Sequence, residues 1–124
     1  MANSKKRILI IDDEPDILAF LLAMFEDVGY TVVATERGDD VDKLTTRTAD
    51  TLPDVILLDM LLSGSDGREI ARKLKGQKET AHIPIIMTSA HPFAQQEAQE
   101  SGADDFLAKP FDMDELLDIV AKYV

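Results

Sequence analysis

The sequence predicts a doubly wound α/β fold, in which a parallel sheet carries helices on both faces. Three observations predict it: short apolar runs recur down the chain, amphipathic helical patterns lie between them, and strand and helix alternate five times. Residues 8–11 are all Ile or Leu and read as a first buried strand. Pro15 then opens a helix whose three-and-four spacing of Ile17, Leu18, Leu21, Leu22, Phe25 and Val28 draws one apolar stripe, and Gly29 closes it. Residues 30–35 form the second strand around Val32 and Val33. A weaker helical pattern over 39–48 offers Val41 and Leu44 as its inward side chains. Residues 55–58 are the third strand, and Ile70, Ala71 and Leu74 mark a short helix behind it. The fourth strand is placed at 83–87, followed by a helix over 93–101 with Phe93, Ala94 and Ala98 inward. Residues 106–108 give the fifth strand, and Met113, Leu116, Leu117, Val120, Ala121 and Val124 give a strong last helix starting near Asp112. The expected architecture is five parallel strands in the order 2-1-3-4-5 with five helices.

Composition narrows the function. At 124 residues the chain has the size of one domain and needs one core, so a single unit over 1–124 is expected, with no output domain attached. The balance of 24 Asp and Glu against 13 Lys and Arg leaves a net charge of −11, which opposes binding to phosphate backbones or anionic lipid. Direct DNA binding and membrane association are therefore not expected. There is no cysteine, and His82 and His91 are too few for a zinc site. The basic start, 1–7, leads into only four apolar residues before Asp12 and Asp13, too few for a signal peptide or a span, so a cytoplasmic protein is expected.

Residues able to do chemistry fall where the strands end: Asp12 and Asp13 after the first, Asp59 after the third, Thr88 and Ser89 after the fourth, Lys109 after the fifth. In open α/β sheets ligands sit outside the carboxyl ends of the strands, where the winding reverses. In the order 2-1-3-4-5 that reversal lies between strands one and three, which deliver the three aspartates. Three crowded carboxylates repel, so one must protonate or a cation must join them. Oxygen ligands without His or Cys point to Mg²⁺, with Mn²⁺ as its substitute. Lys109 would set a fixed positive charge opposite the acids, and Ser89 would offer a hydroxyl. Taken singly each residue has a plainer reading: Asp12 and Asp13 as caps of the first helix, Ser89 as a turn residue, Lys109 as a solvated cation, His91 as an exposed residue before Pro92. Asp59 resists this, because an acid closing the buried run 55–58 needs a partner.

The pattern has a recognisable form. The stretches Ile10-Ile11-Asp12-Asp13-Glu14-Pro15, Leu57-Leu58-Asp59, Asp66-Gly67, Ile85-Ile86-Met87-Thr88-Ser89-Ala90 and Gly102-Ala103-Asp104-Asp105-Phe106-Leu107-Ala108-Lys109-Pro110-Phe111 occur in order. Over nearly its whole length the chain resembles the receiver domain of bacterial two-component response regulators, a flavodoxin-like fold, in the stand-alone form of the chemotaxis regulators. The resemblance implies Asp59 as phosphoacceptor and Asp12, Asp13 and the main-chain carbonyl of Leu61 as ligands of Mg²⁺ beside it. It further implies Ser89 and Phe106 as a switch pair, Lys109 as a contact to the phosphoryl group, and a cis peptide before Pro110. Thr88 then faces inward. Implied partners are a sensor histidine kinase or a histidine phosphotransfer protein as donor and an effector protein of unstated kind, the domain being a monomer or a weak phosphorylation-dependent dimer. It would be a phosphoacceptor that loses its own phosphoryl group rather than a turnover enzyme.

Departures and rivals complete the reading. Ser63-Gly64 stands where the family often has Pro, which should loosen that loop. Leu61, two residues after Asp59, is more apolar than usual and, with His91, is the candidate for tuning dephosphorylation. A flavin carrier would need a phosphate-binding first loop, which Asp12-Asp13-Glu14 would repel. An aspartyl phosphatase would need a second acid where Leu61 stands. A phosphorelay intermediate and a receiver-like module that is never phosphorylated remain as alternatives, although no acid and no lysine is missing.

Overall fold

The computed structural model describes residues 6–38, 52–62, 64–91 and 94–124. Their elements are β1 (Arg7–Ile11), α1 (Pro15–Asp27), β2 (Thr31–Thr35), β3 (Val55–Asp59), β4 (Leu61–Leu62), β5 (Ser65–Asp66), α2 (Gly67–Lys75), β6 (Ile85–Ser89), α3 (Ala94–Glu100), β7 (Asp105–Ala108) and α4 (Met113–Ala121). The main sheet runs β2-β1-β3-β6-β7 with every pairing parallel. With the two-residue strands β4 and β5 set aside, this is the expected order 2-1-3-4-5. Four helices lie among the described residues; the helix expected over 39–48 falls outside them.

Both faces of the sheet are covered, which is why its inner strands are continuous apolar runs rather than alternating ones. The two-residue period of a strand divides them between two cores. Ile8 and Ile10 of β1, Val55 and Leu57 of β3 and Ile86 of β6 pack with Leu21 and Phe25 of α1 and Leu116 and Val120 of α4. Leu9 and Ile11, Ile56 and Leu58, and Ile85 and Met87 pack with Ile70, Ala71 and Leu74 of α2 and Ala94 and Ala98 of α3. Phe25 and Tyr30 meet edge to face at 5.7 Å between ring centroids.

Local sequence sets the helix ends. Pro15 occupies the first turn of α1, where its missing N–H is not needed, and the chain leaves that helix through Gly29 at φ 104°, a left-handed turn. Asp112 and Glu115 form a reciprocal capping box at the start of α4. Two expectations need correction. The strand placed at 83–87 lies at Ile85–Ser89, because Pro84 has no N–H to donate to a ladder, and Ile83 is instead turned into the core before the strand begins. The segment after Asp59 also forms a two-stranded antiparallel hairpin, Leu61 opposite Asp66 and Leu62 opposite Ser65, which no apolar run announced.

Gly67 closes that hairpin onto the sheet. Its N–H donates to the Met60 carbonyl at 2.7 Å, and a Cβ at this position would fall on the Asp59 carbonyl oxygen and the Met60 backbone. Backbone atoms cannot step aside as a side-chain end can. Gly67→Ala is therefore expected to destabilise the fold by about 2–3 kcal/mol, measured as a lowered denaturant midpoint at unchanged slope. An unchanged midpoint would mean that α2 can start further from the sheet.

Candidate functional site

Parallel strands all end on one side of the sheet, so Asp12, Asp13, Asp59, Ser89 and Lys109 converge there from four segments. One carboxylate oxygen from each of Asp12, Asp13 and Asp59 lies within 4.8 Å of the others. Asp12 and Asp59 are 4% and 7% exposed, so their charges are not dispersed by water. Asp12 also accepts the Glu14 backbone N–H at 3.0 Å, whereas the residue capping α1 is Glu14, which makes no side-chain cap bond. The first acidic pair is thus not a helix cap, and its second member is half-buried at the mouth of a cleft.

Lys109 faces the cluster. Its Nζ lies 3.1 Å from Asp12 Oδ2, 3.4 Å from Asp59 Oδ2 and 3.8 Å from Glu14 Oε1. Burial alone would push this ammonium towards deprotonation, but Asp12 and Asp59 outweigh it and its pKa is raised. The pKa of Asp59 is raised as well: burial is the largest cause, the Lys109 charge opposes it, and the Asp12 charge reinforces it. The Leu61 backbone amide hydrogen-bonds the Asp59 carboxylate and opposes the rise further.

Asp13, Glu14, Asp59, Leu61, Ser89, Ala90, His91 and Lys109 line an open cleft of about 470 Å³. Ser89 is buried at its floor and accepts the His91 N–H at 3.0 Å. Leu61, 58% exposed, and His91 stand on the rim. Thr88 points into the protein, 3% exposed, and its carbonyl accepts the Met60 N–H. Phe106 does not line the cleft; it sits half-buried on β7 opposite Met87, packed against the core under α2 and α3. The Lys109–Pro110 peptide is cis.

The chemistry of the donor set can be tested against a cation. Three carboxylates and one ammonium leave two negative charges over, which a divalent ion balances. All donors are hard oxygens, and ligands that share a small ion at about 2.1 Å lie about 3–4 Å apart, close to the spacing present. Asp12, Asp13 and Asp59 fit Mg²⁺.

Comparison with known proteins decides the family. The model of the response regulator receiver domain matches residues 8–121. This chain belongs to that family. The receiver domain is part of two-component signal transduction, in which such domains are phosphorylated on an aspartate and act as phosphoacceptors rather than as turnover enzymes. It is 36% identical over 124 residues to the sporulation initiation phosphotransferase F of Bacillus subtilis, covering all of this chain and 96% of that protein. It is 39% identical over 113 residues to a DNA-binding dual master transcriptional regulator of Synechocystis, covering 90% of this chain but 46% of the relative. The receiver domain thus spans about half the length of that curated relative. Among solved structures, the receiver domain of a sensor histidine kinase from Pseudomonas aeruginosa superposes with a TM-score of 0.85 at 28% identity, over 97% of this chain and 98% of that one; it holds a magnesium ion in its active site cleft. No helix among the described residues of the receiver domain is long and apolar enough to cross a membrane.

Two features of the site were not legible beforehand. Asp12, not Asp59, is the carboxylate nearer to Lys109. Arg68, which follows Asp66-Gly67, is the second. Its guanidinium donates three hydrogen bonds to the Asp66 carboxylate and one to Glu97, and it holds the Asp66 carboxyl below the usual carboxylate range. A sequence signal existed, since an Arg two residues after a helix-capping Asp can fold back onto it, but nothing local names Glu97.

Proposed function

We propose that Asp59 is the phosphoacceptor of this receiver domain. One observation carries the reading: a buried strand-end carboxylate faces a lysine and two further acids at the floor of a cleft open to a donor. A sensor histidine kinase or a histidine phosphotransfer protein would present a phosphohistidine. An Asp59 carboxylate oxygen forms the new bond to phosphorus as the donor's N–P bond breaks, and the electron pair of that bond returns to the imidazole. Asp12, Asp13, Asp59 and the Leu61 carbonyl are the groups that would hold Mg²⁺, which supplies charge neutralisation for the phosphoryl oxygens when bound. Lys109 would offset a second part of that charge, and Ser89 would donate its hydroxyl to a phosphoryl oxygen. Phe106 would follow by turning inward, carrying the change to a surface read by an effector protein. The magnesium in the cleft of the Pseudomonas relative supports the cation, and the full-length match to a phosphotransferase supports a second reading, relay of the group onwards.

Intact-mass measurement after incubation with acetyl phosphate, with and without Mg²⁺, tests the reading. One added phosphoryl group that requires the metal is the expected result; no addition under either condition would refute it.

Loss of the group should be slow. Hydrolysis needs a water in line with the acyl phosphate, and Leu61 on the rim offers it no hydrogen bond. Leu61→Asn is expected to hasten dephosphorylation about tenfold, equivalent to ~1.4 kcal/mol of barrier. Decay followed by mass after removing the donor checks this, and an unchanged or slower rate would count against water exclusion. His91→Ala, measured alongside, shows whether the imidazole contributes to what hydrolysis remains.

A further inference from the structure

Arg68 grips two carboxylates that belong to different parts of the molecule. Its Nε donates to Asp66 Oδ1 at 3.0 Å and its Nη2 to Asp66 Oδ2 at 2.7 Å, while its Nη1 donates to Glu97 of α3. On the Asp66 side the guanidinium is fixed to the acceptor loop. Asp66 caps α2 through the Arg68 N–H, it pairs with Leu61 in the hairpin, and Gly67 is bonded to the Met60 carbonyl directly after Asp59. Met60 in turn donates to the Thr88 carbonyl on β6. Acceptor strand, hairpin and the first turn of α2 are therefore tied to one another by hydrogen bonds.

The α3 side is held differently. Among the described residues of this helix the buried ones are Ala94 and Ala98, which remove little apolar surface from water compared with the Leu, Ile and Phe side chains that anchor α1, α2 and α4. A helix so lightly anchored depends more on its polar ties. A guanidinium shared between two carboxylates is both charge-assisted and directional, because its fork fixes the angle between them as well as the distance.

We propose that Arg68 is a positioning residue that couples the acceptor loop to α3, so that a displacement of the loop on phosphorylation is delivered to this helix through Glu97. The inference rests on the reading of Asp59 as the acceptor. It makes α3 answer to the site by two routes, one through the backbone that leaves Ser89 and His91, the other through the guanidinium. A lysine at position 68 would keep the charge but could not hold Asp66 and Glu97 at once.

Hydrogen exchange of the α3 amides, measured on the full chain before and after loading with acetyl phosphate and Mg²⁺, tests the proposal. Glu97→Ala and Arg68→Lys are expected to speed α3 exchange in the unmodified protein about fivefold, the upper range for a partly exposed ion pair. Both should reduce the phosphorylation-induced change in α3 exchange to less than about a third of wild type while leaving the rate of Asp59 labelling within about twofold. Variants that loosen α3 yet keep the full wild-type response would overturn the coupling and leave Arg68 a structural tie. A wild-type chain that takes no label would overturn the acceptor reading, and the coupling with it, so the two failures are told apart by the mass spectrum.

Discussion

Asp59→Asn should take up no phosphoryl group from acetyl phosphate under conditions that label the wild type fully. The amide cannot supply the carboxylate oxygen that forms the bond to phosphorus, and of the three acids Asp59 is the one that is both buried and lines the cleft. Undiminished Mg²⁺-dependent labelling in the variant would sink the assignment. The same substitution should raise stability without metal. Burial and the Asp12 charge hold the Asp59 pKa above its ordinary value of 3.8, so the folded protein binds this proton at pH values where the unfolded chain has released it. Stability then falls as pH rises from 3.8 through the raised value, and at neutral pH the folded state carries the full cost of an ionised, crowded acid. Asn removes that cost. A gain of about 1–2 kcal/mol, read as a melting temperature higher by about 4–8 °C in chelator, is expected at pH 7 and should vanish below pH 4.

Lys109→Ala should have the opposite and larger effect. Removing the ammonium leaves three carboxylates within 4.8 Å of one another with no facing cation among the described residues that line the cleft. Removing one partner of a buried ion pair costs about 3–5 kcal/mol, and a loss near the lower figure, about 10 °C in melting temperature, is expected without metal. Two additions should recover much of it. Asp12→Asn removes the acid that sits closest to the lysine, and Mg²⁺ at a hundred times its dissociation constant would add about 2.7 kcal/mol by binding the folded state alone. In the wild type the contribution of Lys109 is complete below its ordinary value of 10.5 and is lost as pH rises through the raised value, because its folded-state pKa is shifted upward by the two acids. A Lys109→Ala variant that melts with the wild type in chelator would show that the acids are neutralised by protonation and not by the lysine.

These two residues also show how far the chain could be read before its structure was known. That Asp59 and Lys109 would lie at the same edge of the sheet followed from local pattern: each closes or follows a short apolar run, runs alternating with helices make parallel strands, and parallel strands end on one side. Which acid the lysine would approach more closely did not follow. Asp12 and Lys109 are 97 residues apart and Asp59 and Lys109 are 50 apart, so both distances depend on the sheet register and on the path of the chain after β7. β6 starts two residues beyond the start of its apolar run, because an apolar run does not say where a ladder begins, whereas Pro84 does.

By itself the sequence determined the strands, the two covered faces and the placing of three acids and a lysine at one edge of the sheet, since these rest on two-residue and 3.6-residue periodicity and on which residues stand at the ends of runs, whereas the order 2-1-3-4-5 was implied by the resemblance to receiver domains and is the order the sheet has. Only the tertiary structure decided that Gly67 must lack a side chain, that Leu61 and Leu62 pair with Asp66 and Ser65, and that Arg68 joins Asp66 to Glu97. The reason is physical: each of these is a contact between backbone or side-chain ends brought together by packing. Such contacts involve residues with no shared period in the chain, so nothing local in the sequence records them.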